Sequence, residues 1–253
     1  MTTLFYIISL KIFLLFQIMA ENLHRVVENP KILALDDARY IAGKFDPAQN
    51  PEFISFNSDS SNKLMHLRTE VYIAYLKMAQ AAEADSVKLT IVSATRNFDY
   101  QKELWENKWI GKTAVDGKKL HLHIKDPQAR ALKIMEYSAP PGFSRHHWGT
   151  DIDINSTESE YFETPEGKKV YQWLFNNANK FGFCQTYTAF GEKRSSGFHE
   201  ERWHWSYLPT AKIIWEAQLR NFDESKIFKF KGYQAIRSLH LIEFIRSVNN
   251  CIQ

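Results

Sequence analysis

The chain has 253 residues, 44% of them apolar and 24% charged, the balance of a folded protein with a sizeable core and not of a disordered one. Ten glycines, eight prolines and the lack of any internal repeat exclude collagen-like, solenoid and linker-dominated architectures. A net charge of +3, without a basic block, gives no electrostatic footprint for nucleic acid.

Leu4 to Ile18 is a 15-residue stretch with 12 apolar members, the length of a signal-peptide core and short of the roughly 20 residues that cross a bilayer. Ala20 offers a small residue for cleavage, whereas Met1-Thr2-Thr3 carries no Lys or Arg and Lys11 interrupts the run. The stretch predicts export to the periplasm or cell envelope, with a mature chain from near Glu21. An uncleaved anchor and a cytoplasmic chain started at Met19 are the alternatives.

Leu64, Leu67, Val71, Tyr75, Met78 and Ala82 fall at three-and-four spacing and predict a helix capped by Ser61 or Asn62. Val87 to Ser93 reads as a strand that delivers Arg96 just past its end, followed by a helix from about Asp99 to Trp109 and a tight turn at Asp116-Gly117. Asp126-Pro127 and Thr164-Pro165 each set an N-cap before a proline, which predicts helices to about Tyr137 and to Phe181, the second stopped by Gly182. Between them, Asp151-Ile152-Asp153-Ile154 alternates as a short strand, aspartates on one face and isoleucines on the other. Trp203 to Tyr207 predicts a second strand with His204 opposite the tryptophans. Helices over about 211–221 and 235–248 close the chain, the last packed on the domain. Short strands without a βαβ rhythm predict an α+β fold, a single domain over residues 21–253.

Cys184 and Cys251 are too few for a disulfide framework and lack Cys-x-x-Cys spacing, so Cys184 reads as a buried inert thiol and any metal must rest on histidines and carboxylates. Two imidazoles and a carboxylate suffice for a catalytic zinc that keeps its fourth position for water, and His146, Asp153 and His204 would be that set, one Zn2+ ion in all. Gly149 permits the turn that folds a loop histidine back on a strand aspartate. Glu201, three residues before His204, is the candidate to take a proton from the water and hand it to a leaving amine. Arg96 is the candidate second donor to the developing oxyanion.

These residues resemble the zinc D-alanyl-D-alanine carboxypeptidases and dipeptidases of the VanY and VanX type, in the LAS fold group with lysostaphin-type peptidases and the hedgehog domain. Ser144-x-His146-x-x-Gly149-x-x-x-Asp153 is similar to the family's first metal motif, and Glu201-x-Trp203-His204-Trp205 to its second. Ser93-Ala94-Thr95-Arg96-Asn97-Phe98-Asp99-Tyr100-Gln101 resembles the segment whose arginine and glutamine face the substrate. The resemblance covers about Leu64 to Pro209 and implies a small central antiparallel sheet holding the zinc, flanked by helices, with residues 210–253 as a helical extension. It implies a D,D-carboxypeptidase that removes the terminal D-Ala of peptidoglycan stem peptides, with Arg96, Gln101 and Ser144 on the substrate and no protein partner. A D,D-dipeptidase, an L,D-carboxypeptidase and a noncatalytic zinc module stay open, although retention of Glu201 speaks against the last. One departure stands out: Asp151 occupies a position that is small in the family, and on its strand it would face a ligand imidazole.

Most of the nine histidines read as ordinary. His147 reads as a loop side chain, His121 and His123 as a solvated strand face, and His199 equally as structural or substrate-facing. Trp203 and Trp205 read as core, and Ser144 lacks the flanking glycines of a serine nucleophile.

Overall fold

Aspartates open the first elements of the computed structural model, which describes residues 34–58, 61–192, 194–223 and 228–252. Asp37 accepts from the Arg39 amide to start α1 (Ala38–Ile41), and Asp46 accepts from Ala48 to start a 3-10 turn at Pro47–Gln49. The predicted leader lies outside the described residues. Among the described residues no helix is long and apolar enough to cross a membrane.

The first sheet is a hairpin of β1 (Phe53–Asn57) and β2 (Leu64–Arg68), antiparallel with Phe53 opposite Arg68 and Asn57 opposite Leu64. This corrects the helix expected from Leu64. Leu64 and Leu67 fit a helical stripe, but Met65 and Leu67 equally fit the buried face of a strand, and pairing with β1 decides between them. Helix α2 (Thr69–Ala84) therefore starts later, after Arg68 and not at Ser61 or Asn62, and buries the stripe Val71, Tyr75, Met78 and Ala82.

The second sheet holds the site. Its order is β3 (Ile91–Ser93), β4 (Asp151–Ile154), β6 (His204–Tyr207), β5 (Phe183–Gln185), antiparallel throughout. Ile152, Ile154, Trp203 and Trp205 pack behind it with the α2 stripe and with Val170, Trp173 and Leu174 of α6 (Pro165–Asn177). Asp151, Asp153, His204 and Ser206 alternate with those residues and take the opposite face. On that side a second apolar cluster joins Trp105 of α3 (Phe98–Trp109), Ile134 of α5 (Pro127–Met135), Trp148 and the C-terminal helices.

Asp126 and Thr164 cap α5 and α6 with side-chain oxygens, and Asp116 and Gly117 both take positive φ in their turn, as the sequence predicts, while Asn97, which the sequence reading did not single out, caps α3. His121 and His123 lie on a short helix α4 (Leu120–His123), not on a strand. After α7 (Leu208–Arg220) the expected last helix is two, α8 (Tyr233–Ile236) and α9 (Leu241–Arg246), separated at His240, which sits in the left-handed region at φ 45°. The second cluster nonetheless buries Ile236, Leu241, Ile245, Val248 and Ile252, so this segment packs on the domain.

The cysteines overturn the free-thiol reading: Cys184 on β5 is disulfide-bonded to Cys251, with Cα atoms 6.5 Å apart. Sequence spacing gives no sign of it, because 67 residues separate them and only the folding of the C-terminal segment onto the second cluster brings them together. Replacing Cys251 by Ser is expected to lower the unfolding free energy by about 2–4 kcal/mol, measured by urea denaturation; an unchanged midpoint and slope would show that this bond contributes nothing to stability.

Candidate active site

His146 rides on a 3-10 turn (Arg145–Trp148) that ends at Gly149 in the left-handed region, φ 74°. A Cβ there would stand 2.3 Å from the Phe53 ring, so glycine is needed both for the turn and for the close approach of the hairpin. Gly149 thereby returns the chain into β4, where Asp153 faces His204 across the β4–β6 ladder. The His146 and His204 rings meet edge to face at 4.7 Å between centroids.

One nitrogen of each ring is already committed. His146 Nδ1 donates to the Ala94 carbonyl at 2.9 Å, and His204 Nε2 donates to Asp151 Oδ2 at 2.8 Å. The other nitrogens point inward: His146 Nε2 lies 3.3 Å and His204 Nδ1 3.4 Å from Asp153 Oδ1. Taken together, one ligating atom from each of His146, Asp153 and His204 lies within 4.8 Å of the others. His146 Nε2 and Asp153 Oδ1 are buried and make no hydrogen bond, a costly arrangement for two polar atoms unless a cation sits between them. The three residues therefore fit a divalent metal with nitrogen and oxygen ligands.

Asp151 is the orienting group the sequence points to, and it is held on every side. Its carboxylate accepts from Arg145 Nε at 2.9 Å, Thr150 Oγ1 at 2.7 Å and Ser206 Oγ at 2.9 Å besides His204. Burial opposes its charge, but Arg145 and His204 hold it well below the usual carboxylate range. Arg145, which the sequence reading passed over, also bonds Ser206 at 2.7 Å and lies over the Trp148 ring. Its signal was present: an arginine four residues after the double proline, followed six positions later by an unusual aspartate.

Burial lowers the His146 imidazole, and the Arg96 charge adds to the effect. His204 goes the other way: burial opposes its charged ring, but hydrogen bonds to Asp151 and Glu201 outweigh that and push it up to about 10. Glu201 lies with Oε2 3.0 Å from His204 Nδ1, and burial raises its carboxyl above the ordinary value. His147 is a buried brace and not a free loop side chain. Its Nδ1 donates to the Arg96 carbonyl at 2.6 Å and its Nε2 accepts from the Gly142 amide at 3.0 Å, while burial lowers it to about 3. The Arg96 amide donates in turn to the His146 carbonyl at 3.0 Å, so the two adjacent histidines fix the backbone that presents Arg96.

Arg96, Gln101, Ser144, His146, Glu201 and His204 line one small pocket of about 30 Å³, closed by Tyr187 and Phe198. All the sequence-predicted site residues except Asp153 line it, and Asp153 lines an adjoining cleft of about 430 Å³ that shares Arg96 and Glu201. Gln101 donates Nε2 to the Ala139 carbonyl at 2.8 Å, which leaves its buried Oε1 without a partner. Tyr187, unremarked in the sequence, sets its ring 5.1 Å from His204. His199 makes ring contacts with Tyr137 and Phe190.

Several known proteins are similar to this chain. A putative carboxypeptidase, YodJ, of Bacillus subtilis (strain 168) is 29% identical over 206 residues, covering 76% of this chain and 67% of that one. A D-alanyl-D-alanine carboxypeptidase of Enterococcus faecalis (strain ATCC 700802 / V583) is 28% identical over 149 residues, 59% of this chain and half the length of that enzyme. Among solved structures, a mutant of the vancomycin resistance D,D-pentapeptidase VanY from a VanB-type cassette, in complex with Zn(II), aligns at 25% identity and a TM-score of 0.46 over 64% of this chain and 83% of its own. The family model described as VanY, D-alanyl-D-alanine carboxypeptidase, matches residues 64–210, more than half of the chain and all of the segments that carry the site. This chain belongs to the VanY D-alanyl-D-alanine carboxypeptidase family.

Proposed function

We propose that the protein is an exported zinc D,D-carboxypeptidase that removes the terminal D-alanine from peptidoglycan stem peptides. The observation that carries this reading is the convergence of His146 Nε2, His204 Nδ1 and Asp153 Oδ1 in a buried site, with the Glu201 carboxylate beside them. Two imidazoles and one carboxylate suit zinc, which when bound supplies Lewis-acid chemistry, lowering the pKa of a water and polarising the scissile carbonyl.

The chain's own residues do the rest. Glu201, its carboxyl raised by burial, takes the proton of the attacking water on a carboxylate oxygen and passes it to the departing amine nitrogen. The Arg96 guanidinium, held by its backbone against His146 and His147, faces the carbonyl oxygen as charge builds there. Gln101 Oε1 is an acceptor awaiting a donor, which a substrate N–H supplies, and Ser144 lines the same pocket for the substrate's terminus. A pocket of about 30 Å³ has room for about two waters.

The apolar run Leu4 to Ile18 supports export, and so does the Cys184–Cys251 bond, since disulfides persist in oxidising compartments.

Zinc-loaded protein incubated with defined stem peptides is expected to release one alanine, read by mass. Release of D-Ala-D-Ala would make it a dipeptidase, and no release would leave a binding module. Glu201→Ala is expected to keep zinc while losing about 10²–10⁴-fold in turnover, and undiminished hydrolysis would overturn the assigned base. Asp151→Asn is expected to weaken zinc binding by about 10–100-fold in competition with a chelator; unchanged affinity would show that Asp151 does not orient His204.

A further inference from the structure

Lys108 is a half-buried cation in the cleft beside the metal ligands, and it lacks a counter-ion. Among the described residues Arg68 pairs with Glu52 and Glu70, Arg145 with Asp151, and Lys133 with Asp116 and Glu136, but no carboxylate lies within ion-pair distance of Lys108 Nζ. Its hydrogen bond is to the Ser138 hydroxyl. Residues Arg96, Glu158 and Glu201 act on it from a distance, and burial, followed by the Arg96 charge, disfavours its ammonium form. An ammonium withdrawn from water without an ionic partner is unfavourable in the free protein, and a ligand carboxylate relieves that by a charge-assisted hydrogen bond.

Position decides which part of a ligand it meets. On the carboxypeptidase reading the leaving residue is taken to the side of the small pocket lined by Arg96, His146 and His204, and the acyl part of the substrate runs along the larger cleft, past Asp153, Glu201 and Trp203. Lys108 lines that cleft and not the small pocket, whereas Ser138 lines both. Ser138 Oγ accepts from Lys108, which leaves its own O–H to donate to the same ligand. Resting on the carboxypeptidase reading above, we propose that Lys108, with Ser138, binds a free carboxylate on the acyl side of the scissile bond and so selects peptides that carry an acidic group there.

The test uses two peptides ending in D-Ala-D-Ala that differ only in a side-chain carboxylate or carboxamide on the residue preceding that dipeptide. Steady-state kinetics are measured on the zinc-loaded full chain, and calorimetric binding of both peptides on zinc-loaded Glu201→Gln protein with Lys108 unchanged or replaced. Lys108 is expected to favour the carboxylate peptide by about 10- to 100-fold in KM and in Kd. Lys108→Met erases that preference with kcat within a few-fold of the parent, and Lys108→Arg keeps most of it. A preference that survives Lys108→Met, or no preference in the parent, would overturn the proposal. So would an equal loss of kcat on both peptides, since Lys108 would then act through Glu201. Failure of the parent to hydrolyse either peptide would sink the carboxypeptidase reading, while the calorimetric pair would still decide what Lys108 binds.

Discussion

A slip of one residue between β4 and β6 would turn both aspartates into the apolar core and both isoleucines into the site, because side chains alternate with a period of two. The register that pairs Asp153 with His204 and Ile152 with Trp205 is therefore the constraint on which the metal centre depends. It is enforced from behind. Ile152, Ile154, Trp203 and Trp205 are packed against α2 and α6, so moving the ladder would require exposing that apolar surface. The catalytic face inherits its precision from the packing of the face it does not use.

The same strands carry a second burden, a fully buried anion at Asp151. Ion pairs taken out of water gain little net stability unless every lone pair is satisfied. Here Arg145, Thr150, Ser206 and His204 supply four donors to two oxygens, and removing any one would leave a buried charge short of a partner. Such an arrangement makes sense as orientation more than as stabilisation: it leaves His204 one nitrogen to turn toward Asp153 and Glu201.

Much of this was legible in the sequence, and for physical reasons. Strand alternation is local, so Asp151 to Ile154 and Trp203 to Tyr207 disclosed which side chains share a face. Side-chain caps are local too, and Asp126 and Thr164 mark their helices as expected. What escaped was decided by partners distant in the chain. Leu64 to Arg68 is a strand because β1 pairs with it, and β3 shrinks to Ile91–Ser93 because only there does it meet β4. His147 looks like a loop residue until its ring is seen clamped between Arg96 and Gly142. Tyr187 and Lys108 acquire meaning only from the cavity walls they form, for which no short pattern exists.

The C-terminal segment has a further consequence. β5 is an outer strand of the site-bearing sheet, and just past its end the Asn249 amide donates to the Thr186 carbonyl while its side chain donates to that of Gln185. With Cys251 tethered to Cys184, the tail behaves as a covalently pinned selvedge along a margin that would otherwise offer carbonyls to any passing strand. Residues far from the chemistry thus occupy carbonyls at the end of the outer strand of the His204 sheet.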